Sequence, residues 1–230
     1  MALTKVLNLG LGTTDAQGNT LNGSAAGDSF SGTDAADNTL IGKDAGTAIT
    51  TGDNNVAVGI SALAANTTAS NNTAVGRLAL TANTTGTENT AIGPRTLDAN
   101  TEGDFNTSLG SISLTANTTG SKNTALGRGS LQANTTADEN TAVGYNSMYS
   151  NTTGTSNVAV GKDALNANTT ANNNTGIGYF ALKANTTGAS NTAVGRLALD
   201  ANTTANNNTG IGNNALGSNT TGENNVALGS

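Results

Sequence analysis

The chain has 230 residues, 35% hydrophobic, 3% aromatic and 10% charged, with a net charge of −6. It contains no cysteine, no histidine and no tryptophan, so a disulfide framework is excluded and both the commonest metal ligand and the commonest general base are missing. The acidic balance argues against nucleic-acid binding, which wants a basic face; no apolar run reaches a spanning length, so no membrane insertion is expected.

The start, MALTKVLNLGLG, holds one lysine and no apolar run of signal-peptide length, which leads to the expectation that the chain does not use the usual secretory route. Residues 1–37 read as an N-terminal cap or attachment segment. Asn19 to Leu21 (NTL) and Asp37 to Leu40 (DNTL) look like degenerate rungs of the array that occupies the rest of the chain. The stretch from Gly27 to Gly46 loosely resembles calcium-binding repeat loops, with Asp28, Asp34, Asp37 and Asp44 as oxygen ligands. The Gly-Gly-x-Gly-x-Asp order is absent, and local turn formation by Asp and Gly is the favoured role. No metal or cofactor is expected.

From residue 38 to 230 a 17-residue sentence repeats without insertion or deletion, as in Asn72 to Glu88, NTAVGRLALTANTTGTE. Eleven complete repeats run from Asn38 to Asn224, and six residues begin a twelfth. A fixed period of this kind marks a repeat architecture and sets disorder aside despite the Asn, Thr and Gly content. With the opening Asn as column zero, column three is always aliphatic (Ile41, Val58, Val75 and so on to Leu228) and column four is always Gly. Column seven is always small, and column eight is Leu or Met148 except at Gly46. Column twelve is always Thr.

Helix is a poor reading, because Asn, Thr and Gly are weak helix formers. NTAVG suits a short strand ending in a turn, and LxAN followed by TTG or TTA suits a second strand and turn. Two strands and two turns per repeat predict one coil of a narrow parallel β-solenoid, an all-β fold. Coils about 4.8 Å apart would make a rod on the order of 50 Å long. Asn over Asn and Thr over Thr would form side-chain ladders. The core of each coil is expected to be the column-three aliphatic and the column-eight Leu. That is roughly 4 kcal/mol of burial per rung against a larger ordering cost, so burial of another face against other chains would help.

The NTAVG–xx–AL pattern resembles the head repeats of trimeric autotransporter adhesins (YadA-like heads). The longer NTAVGxxALxANTTG form looks like repeats in bacteriophage tail-fibre proteins, and MALTKV is similar to N-termini of phage tail proteins. The resemblance covers residues 38–230. It implies a left-handed parallel β-roll, with three chains side by side as a homotrimer. The adhesin repeats are shorter, and this chain shows no secretion signal, coiled-coil stalk or C-terminal anchor. Those differences favour the phage setting: a structural and adhesive fibre segment of the virion presenting a face to a host-surface glycan or protein receptor. Alternatives are the head of a bacterial adhesin at the cell surface, a self-assembling extracellular filament, and an ice-binding solenoid. The end at Ser230, six residues into a rung, leaves two readings: the chain is cut from a longer one, or its end docks on another copy.

Column five is the most informative exposed column. It carries Lys43, Arg77, Arg128, Lys162 and Arg196, with Tyr145 and Tyr179 between them. Stacked, they form a basic and aromatic stripe suited to an anionic glycan. Acids gather in columns fifteen and sixteen, at Asp53, Glu88, Asp104, Asp138, Glu139 and Glu223. The plainer alternative is that the two stripes meet across a subunit interface or stay solvated. The NTT columns match glycosylation acceptors at Asn66, Asn83 and Asn117, but stacked Asn ladders make that a poor reading. Adjacent Thr67 and Thr68 face opposite ways on a strand, whereas an ice-binding plane prefers alternate spacing. No serine elbow or paired carboxylates suit catalysis, since neighbours such as Asp138 and Glu139 diverge. No enzyme is expected.

Overall fold

The computed structural model describes residues 13–30 and 34–229. Lys5 and the MALTKV start lie outside the described residues. Among the described residues, fourteen strands form one sheet in strict chain order. They begin with β1 (Thr13–Thr14) and β2 (Thr20–Asn22) and run from β3 (Thr39–Ile41) to β14 (Val226–Leu228). From β2 onward every pairing is parallel, and within the array the register is 17 residues, as in Ala74↔Ala91 and Ala91↔Ser108. No helix occurs among the described residues. The chain is therefore an all-β parallel β-solenoid of about twelve 17-residue coils. The degenerate rung at residues 20–22 pairs with β3 as a true coil does. β1 folds back antiparallel on β2.

Two expectations fail. Each coil has one three-residue strand rather than two, and the LxAN stretch is a chain of tight turns. The core is also different. Column two, small in every coil of the array except at Leu40, points inward: Ala57, Ala74, Ala91 and Ala125 are fully buried. Column three points outward, and Ile41 and Leu109 remain 38% and 47% exposed. The physical reason is the alternation of a strand, combined with a coil too narrow for two large side chains. One Leu from column eight and small residues from columns two and seven fill it. Where column eight is Gly46, Leu40 and Ile49 take its space; a Cβ there would lie within 2.9 Å of both side chains.

Columns seven and eight are both buried although adjacent, for example Ala62 and Leu63. A strand could not do this. The backbone is left-handed at column six and again at column eight, as at Ser61 (φ 53) and Leu63 (φ 54), and these reversals turn successive side chains to the same side. A third left-handed residue sits at column sixteen, from Asn54 to Asn224, always exposed. The turns still stack: the Leu63 amide donates to the Ala79 carbonyl of the next coil (3.0 Å) and the Ser61 amide to Lys43 of the preceding one (2.9 Å). Column four must be Gly for two reasons. Gly93 has φ 135, and a Cβ on it would lie 2.7 Å from the Gly110 carbonyl oxygen, so both conformation and inter-coil approach forbid a side chain.

Two buried asparagine ladders tie the coils together. In column zero, the Asn106 Nδ2 donates to Asn89 Oδ1 (3.1 Å) and to the Gly120 carbonyl (2.8 Å), while its Oδ1 accepts from the Asn123 amide (3.0 Å) and Asn123 Nδ2 (3.1 Å). In column eleven, Asn117 Nδ2 donates to Asn100 Oδ1 (2.8 Å) and to the Gly120 carbonyl (2.9 Å). Burial without loss of hydrogen bonding removes the usual penalty for polar groups in a core. The first rung of the column-zero ladder is closed by Asp15, which accepts from Asn19 Nδ2 (3.0 Å) and from the Asn19 amide (2.9 Å).

Candidate functional site

Column five stands two residues past the end of the strand, and its backbone geometry is set by the Gly before it and the left-handed residue after it. The side chains therefore leave the coil at one corner, and identical columns stack. Of the seven residues expected to form a stripe, five are consecutive: Arg128, Tyr145, Lys162, Tyr179 and Arg196. The structure brings their charges and rings into contact. Arg128 lies 5.8 Å from the Tyr145 ring centre, Lys162 Nζ 5.3 Å from that of Tyr179, and Arg196 6.0 Å from the same ring. Arg128 Nη1 also donates to Tyr145 Oη at 3.4 Å. Cation and ring alternate, coil by coil. Lys43 and Arg77 stand apart, separated from each other by Ile60 and from Arg128 by Pro94 and Ser111.

The ladder is wider than the single column. Phe180, in column six, stacks on Tyr179 with ring centres 4.0 Å apart. Lys183, in column nine, places Nζ 3.9 Å from the Phe180 ring centre, and Lys162 lies 5.1 Å from it. Reading single columns missed these two, because columns six and nine are otherwise mixed; the chain's only Tyr-Phe pair at 179–180 was the available signal. Lys162 pairs with Asp163 at 3.0 Å, and that hydrogen bond is the chief reason its pKa is raised. Asp163 is the only acid in columns five and six from residue 123 to 207.

The acids of column fifteen have a local task. Asp104 Oδ1 accepts from the Thr87 amide (2.6 Å), and Asp138 Oδ1 from that of Ser121 (2.7 Å). The column-twelve threonines are similarly engaged, Thr118 Oγ1 donating to the Thr135 carbonyl (3.0 Å). This leaves column thirteen as the exposed member of each Thr pair, as at Thr68. Asn66, Asn83 and Asn117 are fully buried in the column-eleven ladder, so their amides are not open to modification in the folded chain. Asp44 pairs with Lys43 at 3.8 Å, and no group of three or more acids able to hold a metal occurs among the described residues.

A second surface feature is the outer face of the sheet. It shows the column-one Thr or Val and the column-three aliphatic of every coil. The acidic columns fifteen and sixteen precede this face and column five comes after it, so the two charge stripes flank it. In comparisons with family models, curated proteins and solved structures, nothing matches the chain.

Proposed function

We propose that the chain is a non-enzymatic fibre segment, most consistent with a bacteriophage tail fibre, that packs side by side with two further copies in a left-handed roll and presents a host-surface glycan with a basic and aromatic edge. The observation that carries this is the unbroken outward aliphatic column. A rod that leaves Ile92, Leu109, Ile177 and Ile211 at its surface has an apolar face of the kind that marks an interaction site. A second copy fits this face, because flanking charges in the early coils are complementary within single coils. Lys43 shares its coil with Asp53, and Arg77 with Glu88. Parallel chains in register would set these opposite one another around a closed ring.

Light scattering on the purified chain tests the assembly. One chain weighs 22.5 kDa, so three weigh about 67 kDa (3 × 22.5). A mass of 22.5 kDa at micromolar concentration would sink the side-by-side reading, and a far larger mass would point to end-to-end filaments.

A further inference from the structure

The ladder from Arg128 to Arg196 differs from the rest of column five in its opposite edge. Between residues 140 and 207, columns fifteen and sixteen hold Thr155 and Ser156, Asn172 and Asn173, Ala189 and Ser190, and Asn206 and Asn207. No acid is there to meet Lys162 or Arg196 across a neighbouring chain. These cations, of which Lys162 keeps only its chain neighbour Asp163 as a partner, coincide with the aromatic rings. Coils repeat at about 4.8 Å, so the column-five cations Arg128, Lys162 and Arg196, two coils apart, recur at roughly 9.6 Å, with a ring between each pair.

Resting on the glycan reading, we propose that this ladder binds a linear acidic polysaccharide laid along the solenoid axis, one sugar per coil, with a carboxylate on every second sugar. An extended chain of β-linked pyranose rings advances by about one strand spacing per sugar, so its repeat matches that of the coils. Tyr145 and the Tyr179–Phe180 stack offer flat faces to the axial C–H groups of the uncharged sugars. Lys162 and Arg196 meet the carboxylates of the charged ones, and Arg128 stands at the foot of the ladder. Lys183, held over Phe180, adds positive charge beside the same platform. Asp163 weakens the attraction at Lys162 but leaves its side chain 49% exposed. A polymer charged on every sugar would place carboxylates over the two rings. A neutral one would leave the cations unused.

Three β-linked oligosaccharide series test this: hyaluronan fragments, charged on alternate sugars; oligomannuronates, charged on every sugar; and cello-oligosaccharides, uncharged. The full chain is titrated at fixed low salt, with tyrosine fluorescence and calorimetry as readouts. Hyaluronan fragments are expected to bind at least tenfold tighter than either other series at equal length, with affinity rising to five or six sugars and then levelling. Lys162→Gln and Tyr179→Ala should each weaken binding fivefold or more, while Arg95→Gln, in an exposed ion pair with Asp98 two coils below the ladder, leaves it unchanged. Equal ladder-dependent binding of mannuronate or cellulose fragments overturns the alternate-charge proposal but keeps the glycan reading. Binding of none of the three overturns both.

Discussion

Asn106 shows how little freedom a single residue has in this chain. Its amide group makes two donations and two acceptances, all inside the coil stack. Asn106→Asp keeps the shape but points a second oxygen at Asn89 Oδ1 and the Gly120 carbonyl, where a donor stood. The cost at pH 7 is expected to be about 3 kcal/mol or more. Burial beside two acceptors raises the new carboxyl's folded pKa above its unfolded value of about 3.9. The penalty is thus complete above the folded pKa and shrinks as pH falls toward the unfolded one. Urea unfolding of variant and parent at pH 7 and pH 4 checks it; a deficit that grows on acidification would refute the argument. Ile112 makes the opposite case. It is β-branched yet held at φ 53, a conformation such residues occupy at a cost of about 1–2 kcal/mol. The same column carries Asn146 and Asn214, so Ile112→Asn should stabilise by about 1 kcal/mol, read as a higher urea midpoint with unchanged slope.

At the level of one coil, the two apolar columns have different duties. Leu131 is fully buried, and Leu131→Ala should cost about 2–5 kcal/mol through lost burial and an unfilled cavity. Val143 lies on the outer sheet face and is only half-buried. Val143→Thr should change the stability of an isolated chain by no more than about 0.5 kcal/mol, yet lower the assembled mass in light scattering. Comparable destabilisation by the two substitutions in dilute, unassembled chain would contradict the inward and outward assignment. The sequence showed both columns as apolar and regular. It did not show which was inside, because the TAV triplet has apolar residues at two neighbouring positions and the larger one is the natural choice for a core.

Across the molecule, each coil touches chiefly its two neighbours, so stability is close to a sum over coils and interfaces. Deleting one whole coil, residues 106–122, brings Glu102–Phe105 onto Asn123 with every column still aligned. The shortened chain should keep its circular dichroism spectrum and a single melt, with a modest fall in midpoint. Deleting residues 106–113 breaks the alignment of all later columns and should abolish cooperative melting; equal tolerance of both deletions would count against stacking as the source of order.

The period alone determined that coils stack in register, since a repeat without insertions keeps like residues over like and lets Asn ladders close. The invariant Gly column was equally legible, because glycine alone combines a positive φ with backbone approach from the next coil. The exposed position of column five also followed from its mixed, charged composition. What only the tertiary structure decided was direction and adjacency. Column six mixes Asp, Asn and Gly, which favour a left-handed backbone, with Ser, Leu, Arg, Ile and Phe, which give no sign of one, and column eight bears Leu or Met in all but one coil; the coil's closure imposes the conformation. That closure turns Ala and Leu inward together, sends the column-three aliphatics out, and carries Phe180 and Lys183 to the ladder from columns that look unrelated in the sequence.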